Sequence, residues 1–250
     1  MMNIRIEETM HEGGPRRIFG RSYIPQGQEG RLPLVVCAHR YGETADSWEA
    51  YAQRLASEGF MVHTIDFGGG CAKSRSEGET WEMSVDTEVE DLNTVLNSLL
   101  RNNQVDSTKV WLMGASQGGV VSALVAAKRA SSIKGLVLLF PAFVIPYMVR
   151  SWFSDRTQLP SRYELWEVML GSRYFADAYD ADYYRLAVAY EGPVLLLHGT
   201  QDHAVPLAFS KRALKTYKQA ELHIIKDADH GFVGADFEEA VRTILGFLRK

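Results

Sequence analysis

Three polar residues of the chain have the types and the order that nucleophilic hydrolysis requires. Ser116 lies at the centre of Gly-Ala-Ser-Gln-Gly, Asp202 lies in HGTQDHAVP, and His230 lies in DADHGF. A serine hydroxyl becomes an effective nucleophile when a histidine takes its proton, and a carboxylate holds that histidine in the required tautomer. The three residues therefore predict a catalytic triad.

The stretch around Ser116 has the G-x-S-x-G pattern of a strand-to-helix turn that exposes a nucleophilic serine. It follows the apolar run VWLMGA and precedes the helix-like run GVVSALVAAKRA. Such a tight turn needs small neighbours, and Gly114, Gly118 and Gly119 provide them. The backbone N–H of Gln117, at the start of the helix, is predicted to stabilise an oxyanion, whereas its side chain is given no role.

Other residues near the same motifs are alternatives for the acid and the base. His203 adjoins Asp202, although side chains at adjacent positions would point apart. Asp227 and Asp229 precede His230 and compete for the role of the acid. Asp202 and His230 are preferred because they follow the strand-like runs VLLLHGT and LHIIKDA in the order serine, acid, histidine.

Strand-like and helix-like segments alternate along most of the chain. Apolar runs of strand length occupy 34–39, 61–67, 110–115, 135–140 and 194–200, and amphipathic stretches lie near 46–58, 83–102, 117–130, 206–219 and 235–249. The N-terminal stretch alternates in period two around Gly-Gly-Pro at 13–15, which indicates a strand pair. The pattern predicts an α/β fold with a mostly parallel central sheet and helices on both faces, in which the carboxyl ends of the strands share one edge.

The stretch 141–190 interrupts this alternation. It contains Pro141, Pro146 and Pro160 and holds twelve of the chain's 27 aromatic residues. We expect a helical insertion that covers the crevice at the carboxyl edge of the sheet as a lid. The insertion is predicted to belong to a single domain that spans residues 1–250.

Composition restricts the class of protein and its partners. The 250 residues carry a formal net charge of -4, which gives no electrostatic reason to expect nucleic acid or an anionic membrane as a partner. The first residues lack the apolar run of a signal peptide, and we expect a cytoplasmic protein. Cys37 and Cys71 have no metal-ligand spacing, so neither a disulfide scaffold nor a metal site is predicted. An edge strand could pair in a homodimer, but no feature selects one.

Taken together, the motifs resemble those of the α/β-hydrolase superfamily, and within it the bacterial feruloyl or cinnamoyl esterases and the serine-aminopeptidase-like hydrolases. The resemblance covers most of the chain and rests on AHRYG, DFGGGCAKS, GASQGG, HGTQDHAVP and DADHGF. It implies the α/β-hydrolase fold and a serine esterase that needs no cofactor. DFGGGCAKS departs by one residue from the family's usual spacing, so only a structural turn is expected after Asp66.

The resemblance also implies the second oxyanion donor. In such enzymes the first core strand usually ends in His-Gly, and the backbone N–H of the next residue completes the oxyanion hole. By position, Tyr41 of AHRYG supplies this N–H together with Gln117. Arg40 replaces the usual glycine and places a cation near the pocket mouth, unless it is a surface arginine paired with Glu43 or Asp46.

Aromatic side chains of the stretch 141–190 could line a pocket for an apolar acyl group, although aromatic residues also pack an insertion onto a core. The predicted substrate-binding residues are Arg40, Tyr147, Trp152, Trp166, Tyr174 and Asp177, with Phe153, Phe175 and Tyr179 as further candidates. Asp177, Asp180 and Asp182 lie where resembling esterases can place a polar group against a phenolic hydroxyl, although most of these aspartates are expected to be solvated helix charges.

The predicted function is that of a serine carboxylesterase that forms an acyl-enzyme, with a hydroxycinnamate ester as the first candidate substrate. A peptidase, amidase, thioesterase or acyltransferase with the same triad also fits these residues. From a different class, a catalytically silent protein could use the same fold to bind a small ligand.

Overall fold

The computed structural model describes residues 3–250. At its centre is an eight-stranded sheet. Its strands are β1 (Ile4–His11), β2 (Ile18–Pro25), β3 (Leu32–Ala38), β4 (Met61–Ile65), β5 (Val105–Ala115), β6 (Gly135–Leu139), β9 (Val194–Gly199) and β10 (Ala220–Ile225). The order across the sheet is β1-β2-β4-β3-β5-β6-β9-β10. The pairs β1/β2 and β2/β4 are antiparallel and the remaining pairs are parallel, which confirms the mostly parallel sheet.

The buried apolar runs form strands because both faces of the sheet are covered. Along β3, Leu34 and Val36 pack into one core layer, whereas Val35 and Cys37 pack into the other, as the two-residue period of a strand requires. All four side chains are fully buried. A run without polar alternation is therefore the sequence pattern that a central strand needs.

Helices lie on both faces of the sheet, as predicted. They are α1 (Glu49–Ser57), α2 (Val85–Leu99), α3 (Gln117–Lys128), α7 (Leu207–Thr216) and α8 (Ala235–Leu248). Leu55 of α1 and Ile244 of α8 belong to one core layer. Leu92 of α2, Val121 of α3 and Ala213 of α7 belong to the other.

The segment 141–190 contains both helices and strands. Its helices are α4 (Ile145–Trp152), α5 (Ser172–Asp180) and α6 (Tyr183–Ala187), and the strands β7 (Arg162–Leu165) and β8 (Val168–Gly171) form a separate antiparallel hairpin. The expectation of a purely helical insertion was wrong at 162–171, where Trp166 and Glu167 adopt positive φ and allow a two-residue turn. The lid role and the single domain over residues 1–250 stay predictions.

A helix that crosses a bilayer needs about 20 consecutive, mostly apolar residues. None of the helices within residues 3–250 is both long and apolar enough to cross a membrane.

Candidate active site

Ser116 occupies the turn between β5 and α3, and its backbone has φ 52° and ψ -119°. A positive φ is strained for a residue with a side chain and persists only where the surrounding structure enforces it. Close packing enforces it here: a Cβ atom on Gly118 would lie 2.3 Å from the carbonyl oxygen of Ala38, and one on Gly114 would lie 2.2 Å from that of Gly118. The small residues of the motif thus allow the helix to approach the sheet.

The three predicted triad side chains meet at the carboxyl edge of the sheet. His230 Nε2 lies 3.1 Å from Ser116 Oγ, and His230 Nδ1 lies 2.8 Å from Asp202 Oδ2. A carboxylate can only accept, so Nδ1 carries the ring proton and Nε2 presents a lone pair to the serine hydroxyl. This arrangement suits removal of the serine proton by the imidazole.

Asp202 is held in its ionised form by several hydrogen bonds. Burial by itself raises the pKa of this carboxyl, but hydrogen bonds from His198, His230 and the backbone N–H of Val205 hold the pKa well below its usual range. His198 Nε2 lies 3.3 Å from Asp202 Oδ2 and also donates to the carbonyl oxygen of Val205. No catalytic role was assigned to His198 from the sequence, and its contact with the acid was therefore missed.

The backbone of His230 is anchored on two sides. Arg40 Nη1 donates to its carbonyl oxygen over 3.0 Å, and its own N–H donates to Asp229 Oδ1 over 2.7 Å. The imidazole also packs on Phe140, with ring centroids 4.5 Å apart. These contacts restrict the position of the ring relative to Ser116.

The alternative acids and base lie outside this hydrogen-bonded chain. His203 is exposed, and its backbone N–H donates to Asp229 Oδ1. Asp229 therefore caps backbone groups, and Asp227 is an exposed turn residue with φ 60°. Neither aspartate contacts the ring of His230 in the described hydrogen bonds.

His39 orients the peptide group that contains the Tyr41 N–H. His39 Nδ1 donates to the carbonyl oxygen of Arg40 over 2.7 Å, and its Nε2 accepts from the N–H of Phe67 over 3.0 Å. Burial lowers the pKa of His39, so the ring is neutral. Because C=O and N–H of one trans peptide point in opposite directions, fixing the Arg40 carbonyl also fixes the Tyr41 N–H.

The same relationship holds at Gln117. The carbonyl oxygen of Ser116, in the same peptide group as the Gln117 N–H, accepts from Gly119 at 3.0 Å, Val120 at 3.3 Å and Ala142 at 2.9 Å. The described backbone hydrogen bonds of loops and helix caps include none donated by Tyr41 or Gln117. Both N–H groups are thus available in residues that line the cavity next to Ser116.

The side chain of Gln117 has partners that sequence reasoning did not assign. Gln117 Nε2 donates to Glu88 Oε1 over 2.9 Å, and Tyr174 Oη donates to Gln117 Oε1 over 2.8 Å. Burial raises the pKa of Glu88 well above its usual value. The available sequence signal was the position of Glu88 in the first turn of α2, on the same helix face as the apolar residues Val85 and Leu92.

A cavity of about 290 Å³ opens above Ser116. Of the residues predicted to bind substrate, Arg40, Trp152, Trp166 and Tyr174 line it, together with Ser116 and His230. Tyr147 and Asp177 do not line it. The hydroxyl of Tyr147 accepts from Arg212, and Asp177 Oδ2 accepts from Arg173 Nε over 3.4 Å.

Helical geometry explains why Tyr147 lies away from the cavity. The residues of α4 that line the cavity are Ile145, Met148, Val149 and Trp152, which share one face of the helix. Tyr147 lies on another face and packs its ring on Phe209. The aliphatic members of this face were missed because only aromatic and acidic residues of the segment were considered, although the three- and four-residue spacing of the aliphatic residues was visible in the sequence.

The sheet order, the serine turn and the convergence of three loops at one edge are those of the α/β-hydrolase superfamily. A family model for serine aminopeptidase, S33, matches residues 31–166, more than half of the chain. The chain therefore belongs to this family of α/β-hydrolases.

Comparison with individual proteins agrees with this assignment. Monoglyceride lipase of Rattus norvegicus is 30% identical over 125 residues, a match that spans 50% of this chain and 39% of the lipase. The structure of Est1E from Butyrivibrio proteoclasticus with bound ferulic acid has a TM-score of 0.87 at 24% identity and covers 97% of this chain and 100% of its own. A monoacylglycerol lipase from Paleococcus ferrophilus has a TM-score of 0.68 at 20% identity, and the match covers 99% of this chain and 98% of the lipase. At these identities, the likeness to the two structures concerns the fold.

Proposed function

We propose that this protein is a carboxylesterase in which Ser116 attacks the ester carbonyl and forms an acyl-enzyme. The proposal rests mainly on one observation: the hydrogen-bonded chain from Ser116 through His230 to Asp202 lies at an apolar cavity of about 290 Å³. That volume is near the lower end of the range typical for small-molecule sites.

In the proposed cycle, His230 Nε2 takes the proton of Ser116 as Oγ bonds to the carbonyl carbon. The negative charge of the tetrahedral intermediate is stabilised by the N–H groups of Tyr41 and Gln117. The C–O bond to the alcohol then breaks, and the imidazolium returns its proton to the leaving oxygen. Water, activated by the same histidine, releases the carboxylic acid and regenerates the serine.

The lining of the cavity favours an apolar acyl group that includes an aromatic ring. It combines the aliphatic face of α4 with Leu165 and the aromatic residues Trp152, Trp166 and Tyr174. A hydroxycinnamate ester is the substrate class that we propose, and the likeness to the ferulic acid complex of Est1E supports this choice. In the same proposal, the segment 141–190 covers the site as a lid.

The charges of the cavity favour an ester over a peptide with a free amino terminus. An aminopeptidase must bind the ammonium group of its substrate, for which a free carboxylate is the usual partner. Glu43 is the one acidic residue among the described residues that line the cavity, and it already pairs with Arg40. An ammonium group would therefore compete with the guanidinium of Arg40.

The test compares p-nitrophenyl esters of acetate, octanoate and cinnamate, methyl ferulate and amino-acyl p-nitroanilides as substrates. We expect the highest kcat/KM for the cinnamate and ferulate esters, and loss of turnover by about 10⁶-fold in Ser116→Ala. A fluorophosphonate should label the wild-type protein and not this variant. Faster cleavage of the anilides would indicate an amidase, and a wild-type protein that neither turns over nor labels would indicate a ligand-binding protein.

A further inference from the structure

The segment 141–190 forms a hydrogen bond with the side chain of each residue assigned to the oxyanion hole. Tyr41 Oη donates to the carbonyl oxygen of Leu165, at the end of β7, over 3.0 Å. Tyr174 Oη, on α5, donates to Gln117 Oε1 over 2.8 Å. Leu165 and Tyr174 lie in different elements of the segment, so it contacts the two donors independently.

A third hydrogen bond joins the start of the segment to the serine turn. The N–H of Ala142 donates to the carbonyl oxygen of Ser116 over 2.9 Å. This carbonyl shares a peptide group with the Gln117 N–H, so its direction determines the direction in which that N–H points. The segment therefore contacts Gln117 through both the backbone and the side chain.

Because these contacts are buried, they restrict the positions of the side chains that form them. Gln117 and Glu88 are each 1% exposed and Tyr174 is 5% exposed, so water cannot replace a lost partner without entering the core. The amide of Gln117 is held on its other side by Glu88 of α2. The ring of Tyr41 contacts those of Trp166 and Tyr174, with centroids 5.8 Å and 6.2 Å away.

We propose that the segment 141–190 positions both oxyanion donors, with Tyr174 and Tyr41 as positioning residues that act through Gln117 and the Tyr41 backbone. This inference rests on the proposed function and adds a catalytic role to the segment besides enclosing substrate. An oxyanion donor acts only when it is correctly placed, and a displacement of about 1 Å can lower a rate about 100-fold.

The test uses two variants that remove one hydroxyl each, Tyr174→Phe and Tyr41→Phe. We expect each to lower kcat by about tenfold with a smaller change in KM, and the double variant to lower it further. Tyr190→Phe is the matched control, because the hydroxyl of Tyr190 is also buried in this segment but donates to the carbonyl oxygen of Ile133, away from the site.

A second readout separates positioning from a general loss of stability. Phenylboronic acid bonds to Ser116 Oγ as the serine proton passes to His230, and the tetrahedral adduct places an oxygen in the oxyanion hole. Its inhibition constant should rise about tenfold in Tyr174→Phe and Tyr41→Phe and stay unchanged in Tyr190→Phe. Binding of the free acid product should change far less, because it lacks the tetrahedral oxyanion.

The proposal is overturned if both tyrosine variants keep the wild-type kcat and boronate affinity while their melting temperatures fall as in Tyr190→Phe. It is equally overturned if the product acid and the boronate lose affinity by the same factor, since that indicates a pocket that is damaged as a whole. Failure of the proposed function has a different signature, namely a wild-type protein without esterase activity.

Discussion

Arg40 Nη1 donates a hydrogen bond over 3.0 Å to the backbone carbonyl oxygen of His230, a residue 190 positions away in the chain. Arg40 follows β3 and His230 follows β10, and three other strands lie between these two in the sheet. The contact therefore spans the carboxyl edge of the sheet and joins the loop of Tyr41, a proposed oxyanion donor, to the loop of the proposed base. Glu43, which accepts from Arg40 Nη2, holds the guanidinium from its other side.

Arg40→Ala is expected to lower kcat by about tenfold, because the loop of His230 loses an anchor and its ring must remain within hydrogen-bond distance of Ser116. Steady-state kinetics with an aryl ester measure the effect. Arg54→Ala is the matched control, since Arg54 pairs with Glu238 on the exposed surface. A rise in KM with unchanged kcat would instead assign Arg40 to substrate binding.

Gly118→Ala is expected to lower the free energy of unfolding by about 1–3 kcal/mol, the usual cost of overpacking, because the new Cβ would lie 2.3 Å from the carbonyl oxygen of Ala38. Turnover should fall as well, since relief of this clash moves the serine turn. Gly246→Ala is the matched change in α8, where no atom outside the local helix backbone lies within 4 Å of the new Cβ, and it should stabilise the protein by about 0.5–1 kcal/mol. Urea unfolding of both variants measures the change in the free energy of unfolding. Equal changes in the two variants would contradict the packing argument.

The contribution of Asp91 to stability is expected to fall as pH rises from about 4 to about 7, because burial raises the pKa of this carboxyl from its usual 3.8 to about 7. Within that window the folded protein keeps a proton that the unfolded chain has lost, so ionisation favours unfolding. Since each pKa unit corresponds to about 1.4 kcal/mol, the loss should be on the order of a few kcal/mol.

Asp91→Asn tests this prediction through the pH dependence of the free energy of unfolding. The variant keeps an acceptor for the Gly68 N–H, which donates to Asp91 Oδ2 over 2.9 Å, but cannot ionise. We expect the free energy of unfolding of the variant, measured relative to that of the wild type, to increase between pH 4 and pH 7. An unchanged slope would show that Asp91 is ionised throughout the window in the folded state.

Met148→Trp is expected to narrow the cavity and to change acyl selectivity, because Met148 lies on the face of α4 that lines it. The kcat/KM for a cinnamate ester should fall by about 10–100-fold, whereas that for an acetate ester should change little. The ratio of the two values in one preparation serves as an internal control. An equal loss for both esters would mean that the substitution disturbs the triad and not the acyl pocket.

Local patterns were sufficient for the core strands and the serine turn. The run VWLMGA corresponds to the second half of β5, and the next residue after it is Ser116, at the expected boundary with α3. A buried strand needs an apolar run and a tight turn needs small residues, and both requirements are satisfied by neighbours in sequence. The order of serine, acid and histidine could likewise be read, because each residue follows a recognisable strand.

The hydrogen-bond partners of the site residues, in contrast, could not be predicted from the sequence. Nothing near His198 in sequence shows that its ring lies 3.3 Å from Asp202 Oδ2, and nothing near Gln117 shows that Tyr174 and Glu88 hold its amide. Such hydrogen bonds depend on how loops and helices pack across long separations. The hairpin at 162–171 was missed for a related reason, since a strand pair so short carries little periodicity.

By itself, therefore, the sequence determined the α/β-hydrolase fold and the succession of core strands and helices along the chain. It also identified Ser116, Asp202 and His230 as the residues that reach the carboxyl edge of the sheet. Only the tertiary structure decided which side chains meet there, which face of α4 lines the cavity and how the segment 141–190 contacts Tyr41 and Gln117. The physical reason is that strands, helices and tight turns obey periodic, local rules, whereas side-chain contacts across the cleft depend on the relative placement of elements far apart in the chain.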